Sequence, residues 1–158
     1  GQATLFEAAG GGGVVAVKAL RPSFRRADPG ADESLRRESA LLRATRHPNV
    51  VRHLGFGETA APAREPYLLL ERLYGHDLRA LLDERGALPF AAAFAVAGDV
   101  AAALAHVHRA GIVHLDVKPE NVFVHLDGGV ARAKLLDFGV AHRIHDEPPA
   151  GSAGTPLY

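Results

Sequence analysis

The three residues Asp127-Gly128-Gly129 place the tightest local constraint on this chain. They stand between Val122–Val124 and Lys134–Leu136, two short apolar runs. That arrangement predicts a β-hairpin, because glycine enters the left-handed backbone of a tight turn without strain. Folding the hairpin back brings together the residues just outside its ends, Asn121 and Asp137. An amide oxygen and a carboxylate at one end of a ribbon can ligate a hard cation. Asp116 and Lys118 lie a few residues upstream and come to the same end. Phosphoryl transfer needs such a set: a metal against the phosphates, a carboxylate to receive a hydroxyl proton, and a cation beside the moving group. Taken singly each residue is ordinary, and Asp137-Phe138-Gly139 alone reads as a turn. Their order and spacing make the case.

Upstream, Leu5-Phe6 and Val14–Val17 flank the glycine run 10–13 and predict a hairpin. A loop with Pro22, Pro29 and Gly30 follows. From Asp32 to Arg46 the period turns helical, with Leu35, Glu38 and Leu42 on one face. His47-Pro48-Asn49 ends that helix, since the residue before proline leaves the helical region. Val50-Val51 and Tyr67–Leu70 read as two further strands. Beyond them Asp77 caps a short helix that Gly86 ends, and Pro89 opens a long one that Gly111 closes. The long helix is apolar on nearly every face and predicts a buried pillar. Its stretch from Leu88 to Val107 is the most membrane-like in the chain, but Asp99 and His106 interrupt it, so no membrane segment is assigned.

His114-Leu115-Asp116-Val117-Lys118-Pro119-Glu120-Asn121 followed by Asp137-Phe138-Gly139 resembles the catalytic loop and metal-binding motif of protein kinases. The resemblance implies that Asp116 is the catalytic base, that Asn121 and Asp137 hold Mg2+, and that Lys118 contacts the γ-phosphate of ATP. A lysine two residues after the aspartate is similar to the serine/threonine class. Gly154-Thr155-Pro156-Leu157-Tyr158 resembles the substrate-docking end of the activation segment, with Thr155 touching Asp116 and Lys118. Val15-Ala16-Val17-Lys18 resembles the strand whose lysine grips the α- and β-phosphates, with Glu38 as its partner. Glu71-Arg72-Leu73 resembles the hinge, where backbone groups of Glu71 and Leu73 would bond adenine and Leu70 would guard the back of the pocket. Ala16 and Leu5 would cover the base, Phe123 would lie below it, and Asp77 would touch ribose or simply cap its helix.

The implied architecture is α+β and two-lobed, a truncated protein-kinase-like fold. Residues 1–71 would form a partial N-lobe of sheet and helix, 72–76 the hinge, and 77–158 the first part of a helical C-lobe. The chain departs from the family pattern in three ways. Gly1-Gln2-Ala3-Thr4-Leu5-Phe6 resembles only the second half of the glycine-rich loop, with Ala3 where a glycine usually stands. Leu115 replaces the arginine that ordinarily pairs with a phosphorylated activation loop, so control through Ser152 is not expected. The sequence stops before the expected Ala-Pro-Glu and later helices.

Composition narrows the remaining classes. Eighteen basic and eighteen acidic residues balance, so no global field points to nucleic acid or an anionic membrane. The chain has no cysteine, which excludes disulfides and thiolate chemistry and fits a reducing, cytoplasmic setting, with any membrane anchor outside this segment. Alanine and arginine richness and the His-Leu-Asp-Val-Lys-Pro-Glu-Asn form resemble bacterial serine/threonine kinases. The expected activity is transfer of the γ-phosphoryl of ATP to serine or threonine of protein substrates. Two rivals stand beside it: a pseudokinase scaffold, disfavoured because Lys18, Glu38, Asp116, Asn121 and Asp137 are all present, and a kinase-like small-molecule phosphotransferase. No residue specifies an oligomeric state.

Overall fold

A computed structural model describes residues 3–10 and 13–144. The upper part is a four-stranded antiparallel sheet in the order β1-β2-β4-β3. Its strands are β1 (Ala3–Gly10), β2 (Gly13–Leu20), β3 (His53–Glu58) and β4 (Pro66–Glu71). One helix, α2 (Ala31–Ala44), packs on the sheet with Leu35, Glu38, Leu41 and Leu42 turned inward. Leu35, Glu38 and Leu42 share that buried stripe because three- and four-residue steps stay on one helical face.

Two stretches of the upper part differ in local structure from the sequence reading. Pro22–Ala27, expected as loop, forms a short helix α1 with proline in its first turn. Proline is at home there, since it brings a pre-set φ and its missing N–H would be unsatisfied anyway. Val50-Val51, expected as a strand, lies outside the upper sheet; the strand begins at His53. Val50 makes one parallel bridge to Leu135, and Val51 donates its N–H to the Leu135 carbonyl at 3.0 Å. Both valines are buried, so their apolarity reported burial and not membership of a ladder.

Below the sheet, β5 (Gly75–Asp77), β7 (Val122–Asp127) and β8 (Val130–Leu135) form a second, three-stranded sheet. The β7–β8 turn is built by Gly128 and Gly129 at φ +56° and +87°, as the Asp-Gly-Gly signal predicts. Helix α3 (Leu78–Arg85) is capped by Asp77, whose carboxylate accepts the Ala80 N–H at 2.8 Å. The long helix is α4 (Phe90–Arg109), and a two-stranded ribbon pairs β6 (Ile112–Val113) with β9 (His142–Arg143).

Among the described residues α4 is not the buried pillar that its sequence predicts. Only Ala103 and Val107 are buried, while Phe90 and Phe94 are 85% and 73% exposed. Among the described residues α4 packs chiefly on β8 and β6, and these cover one side of it. Asp99, which breaks the apolar run, accepts the Ala133 N–H of β8 at 2.8 Å and fastens that side. By length and composition alone α4 could cross a membrane. The core runs continuously from α2 through Val50 and Val51 to Leu135 and Phe138, so both parts share one apolar interior.

Candidate active site

A cavity of about 680 Å³ lies between the upper sheet and the β7–β8 hairpin. Its roof carries Leu5 and Ala16, its rear wall Leu70, its outer edge Glu71, Arg72 and Leu73, and its floor Phe123. Lys18, Glu38, Asp116, Lys118, Asn121 and Asp137 gather at the polar end. Asp77 does not line this space and serves as the helix cap. Thr155, Ser152 and the segment 154–158 fall outside the described residues, as do Gly1 and Gln2.

Strand β2 and helix α2 position the first pair. Lys18 faces the cavity from β2, and Glu38 faces the sheet from α2. The ammonium donates to both carboxylate oxygens of Glu38, at 2.7 and 2.9 Å, and to Asp137 Oδ1 at 3.0 Å. Glu38 is 3% exposed. Burial works against the Lys18 ammonium, but two carboxylates outweigh it and its pKa lies above the lysine norm. Burial pushes the Glu38 carboxyl up; Lys18 pulls it down, but Asp137 adds a like charge and the upward direction wins. One cation is thus shared by two anions.

The hairpin positions the second group. Leu136 donates its N–H to the Asn121 carbonyl at 2.8 Å, which sets Asn121 and Asp137 side by side at the hairpin's open end. Asn121 Nδ2 donates to the Asp116 carbonyl and to Asp116 Oδ2, each at 2.8 Å, and Lys118 Nζ stands 2.8 Å from the same Oδ2. That hydrogen bond from Lys118 to Asp116 is the main reason the Lys118 pKa lies above its ordinary value. Burial pushes the Asp137 carboxyl up, but the Lys18 charge and the bonds from Lys18 and the Gly139 N–H reverse this and hold it below the carboxylate norm.

His114 supports the loop from beneath. Its Nε2 lies 2.8 Å from the Leu136 carbonyl, and its Nδ1 accepts the Asp116 N–H at 3.3 Å, so the ring carries its proton on Nε2. Its edge meets Phe138 with centroids 4.8 Å apart. Burial lowers its pKa, which keeps it neutral. Leu115 and Asp137 both hold positive φ, +64° and +54°, a region that costs about 1–3 kcal/mol per residue when not glycine. Such strain gathers where a backbone is bent to aim neighbouring groups.

The donors suit a hard divalent cation. Because the Asn121 amide nitrogen is held on Asp116, its oxygen faces away from that contact. Both hydrogen bonds to Asp137 reach Oδ1. No cluster of three or more His, Cys, Asp or Glu able to hold a metal exists among the described residues. One carboxylate and one amide therefore match an ion that takes its remaining ligands from phosphate and water, as magnesium does.

Three site features escaped the sequence reading. Lys134 of β8 is buried and pairs with Glu71 Oε1 at 2.7 Å, and the same oxygen accepts the Arg52 N–H at 2.8 Å. Arg72 pairs with Glu7 at 2.7 Å. Asn49 donates through Nδ2 to the Ala133 carbonyl at 2.9 Å and accepts the Leu135 N–H at 2.8 Å, which joins the α2–β3 loop to the lower hairpin.

Comparison with known proteins adds a family assignment. The model of the protein kinase domain matches residues 1–158. The serine/threonine-protein kinase pkn2 of Myxococcus xanthus is 37% identical over 166 residues, covering 100% of this chain and 19% of that protein. PknB of Mycobacterium leprae is 36% identical over 133 residues, covering 84% of this chain and 21% of the relative. The plant kinase RUNKEL of Arabidopsis thaliana is 36% identical over 124 residues, covering 77% of this chain and 9% of its own length. The chain thus spans about a fifth of the bacterial relatives it matches.

Proposed function

Since the chain belongs to the protein kinase domain family, we propose that it transfers the γ-phosphoryl of ATP to serine or threonine hydroxyls of protein substrates, as a cytoplasmic catalytic domain. Protein kinases use ATP and Mg2+ in general. The observation that supports the reading here is the convergence of Lys18, Asp116, Lys118, Asn121 and Asp137 on one end of a cavity whose other end is apolar.

In this reading adenine lies between Ala16 and Leu5 above and Phe123 below, with backbone groups of Glu71 and Leu73 at its edge. Lys18, fixed by Glu38, holds the α- and β-phosphates. Asn121 and Asp137 would hold magnesium, which supplies charge neutralisation on the phosphates. Asp116 accepts the proton of the attacking hydroxyl, and Lys118 steadies the transferring group; their 2.8 Å contact keeps the carboxylate oriented. Thr155 would complete the substrate side.

The test is Mg-ATP-dependent phosphate transfer to a generic serine/threonine substrate by the full-length protein. Asp116→Asn keeps the shape but removes the base, and should lower the rate about 10²–10⁴-fold. Equal rates in the two proteins would remove Asp116 from its role. A folded protein that binds ATP and transfers nothing would be a pseudokinase scaffold.

A further inference from the structure

Arg72 opens the connection that follows β4, and its guanidinium reaches in three directions. It pairs with Glu7 Oε1 of β1 at 2.7 Å. It donates to the Leu73 carbonyl beside it. It also lies over the Tyr74 ring, 4.9 Å from the centroid. Tyr74 in turn donates its backbone N–H to His125 Nδ1 of β7 at 3.0 Å, and the two rings stack with centroids 6.3 Å apart. The contacts thus run from β1 across the connection to β7. Those strands also carry the two faces of the cavity: Leu5 stands two residues before Glu7, and Phe123 two residues before His125.

The register places Glu7 on the cavity side of β1. Glu7 lies opposite Ala16, so it shares the cavity face of the sheet with Leu5 and Ala16. Among the described residues β1 is hydrogen-bonded to β2 on one side.

We propose that Glu7, Arg72 and Tyr74 form a latch across the outer mouth of the cavity, with Arg72 as a positioning residue that holds the roof strand down while nucleotide is bound. Release of nucleotide then requires the Glu7–Arg72 pair to part. The inference rests on the ATP-binding reading above. Glu7 is 62% exposed in its side chain, so the pair is screened and its effect is modest.

Stopped-flow dissociation of a fluorescent ATP analogue from the full-length protein tests this, comparing the native protein with Glu7→Gln, Arg72→Gln and the charge-exchanged Glu7→Arg/Arg72→Glu. Each single substitution should raise the off-rate about two- to fivefold at low salt. The exchanged pair should bring it back toward the native value, and the differences should shrink at about 0.5 M salt, where screening is strong. Rescue by exchanged charges is not expected of a residue that only packs. Unchanged off-rates in both single variants, or no recovery in the exchanged pair, would overturn the latch and leave the ATP-binding reading standing. A native protein that binds no nucleotide would sink both together.

Discussion

Asp137 answers to two partners at once. It sits at positive φ beside Lys18, with its side chain half exposed, and accepts from Lys18 Nζ and the Gly139 N–H through one oxygen. Because its carboxyl is held below the usual range in the folded state, the folded chain gives up that proton more readily than the unfolded chain. The stabilisation is therefore complete above about pH 4 and fades as the pH falls through the folded value. Asp137→Asn should flatten the acid limb of the stability curve, followed by circular dichroism between about pH 4 and pH 2. A limb as steep as the native one would show that the Lys18 contact contributes nothing in solution. The same residue shows what sequence can convey about a site. Lys18, Glu38, Asp116, Asn121 and Asp137 were legible because short-range motifs fix each one locally, and all line the cavity. Glu7 with Arg72, and Glu71 with Lys134, were not legible, because each pair joins segments distant in the chain through side chains that look like ordinary surface charges.

At the scale of elements the connection between β4 and α3 is the most exacting. Gly75 has φ +133°, and a Cβ there would stand 2.1 Å from the Val124 carbonyl oxygen. Gly75→Ala must therefore push β5 away from β7 or strain the backbone, at about 1–3 kcal/mol for the strain alone. For a domain of this size that corresponds to a fall of about 2–4 °C in melting temperature per kcal/mol. Weaker binding of an ATP analogue should accompany it, since β5 follows directly on the segment that edges the cavity. A native melting temperature in this variant would mean that the strand pairing yields freely. Elements were readable wherever one local signal ruled. The β7–β8 turn was written in its glycines, and α3 in Asp77 and Gly86. Val50-Val51 misled because branched apolar residues serve a buried loop as well as a strand, and α1 was hidden because Pro22 reads as a breaker unless its place in the first turn is known.

Across the whole molecule, proton uptake should set the acid side of stability. His47, His53 and His114 all have pKa values lowered chiefly by burial. The His47 and His106 rings lie tilted by 30° with centroids 5.0 Å apart, and His53 bonds Ser39 at 2.9 Å. Each lowered value means that the unfolded chain takes up the proton first, so stability falls as the pH drops through about 6.5. The melting temperature should be lower at pH 5.5 than at pH 7.5, and His114→Gln should lessen the difference; identical melting at both pH values would contradict the assigned neutral states. Among the described residues the upper sheet and the lower hairpin are joined at the connection braced by Glu71 and Lys134, at the loop Asn49–Val51 laid on β8, and by the Lys18–Asp137 ion pair. Any movement of one part against the other must therefore strain or break at least one of these joins. The Lys18–Asp137 pair spans the cavity between the two parts, so widening that cavity has to part it.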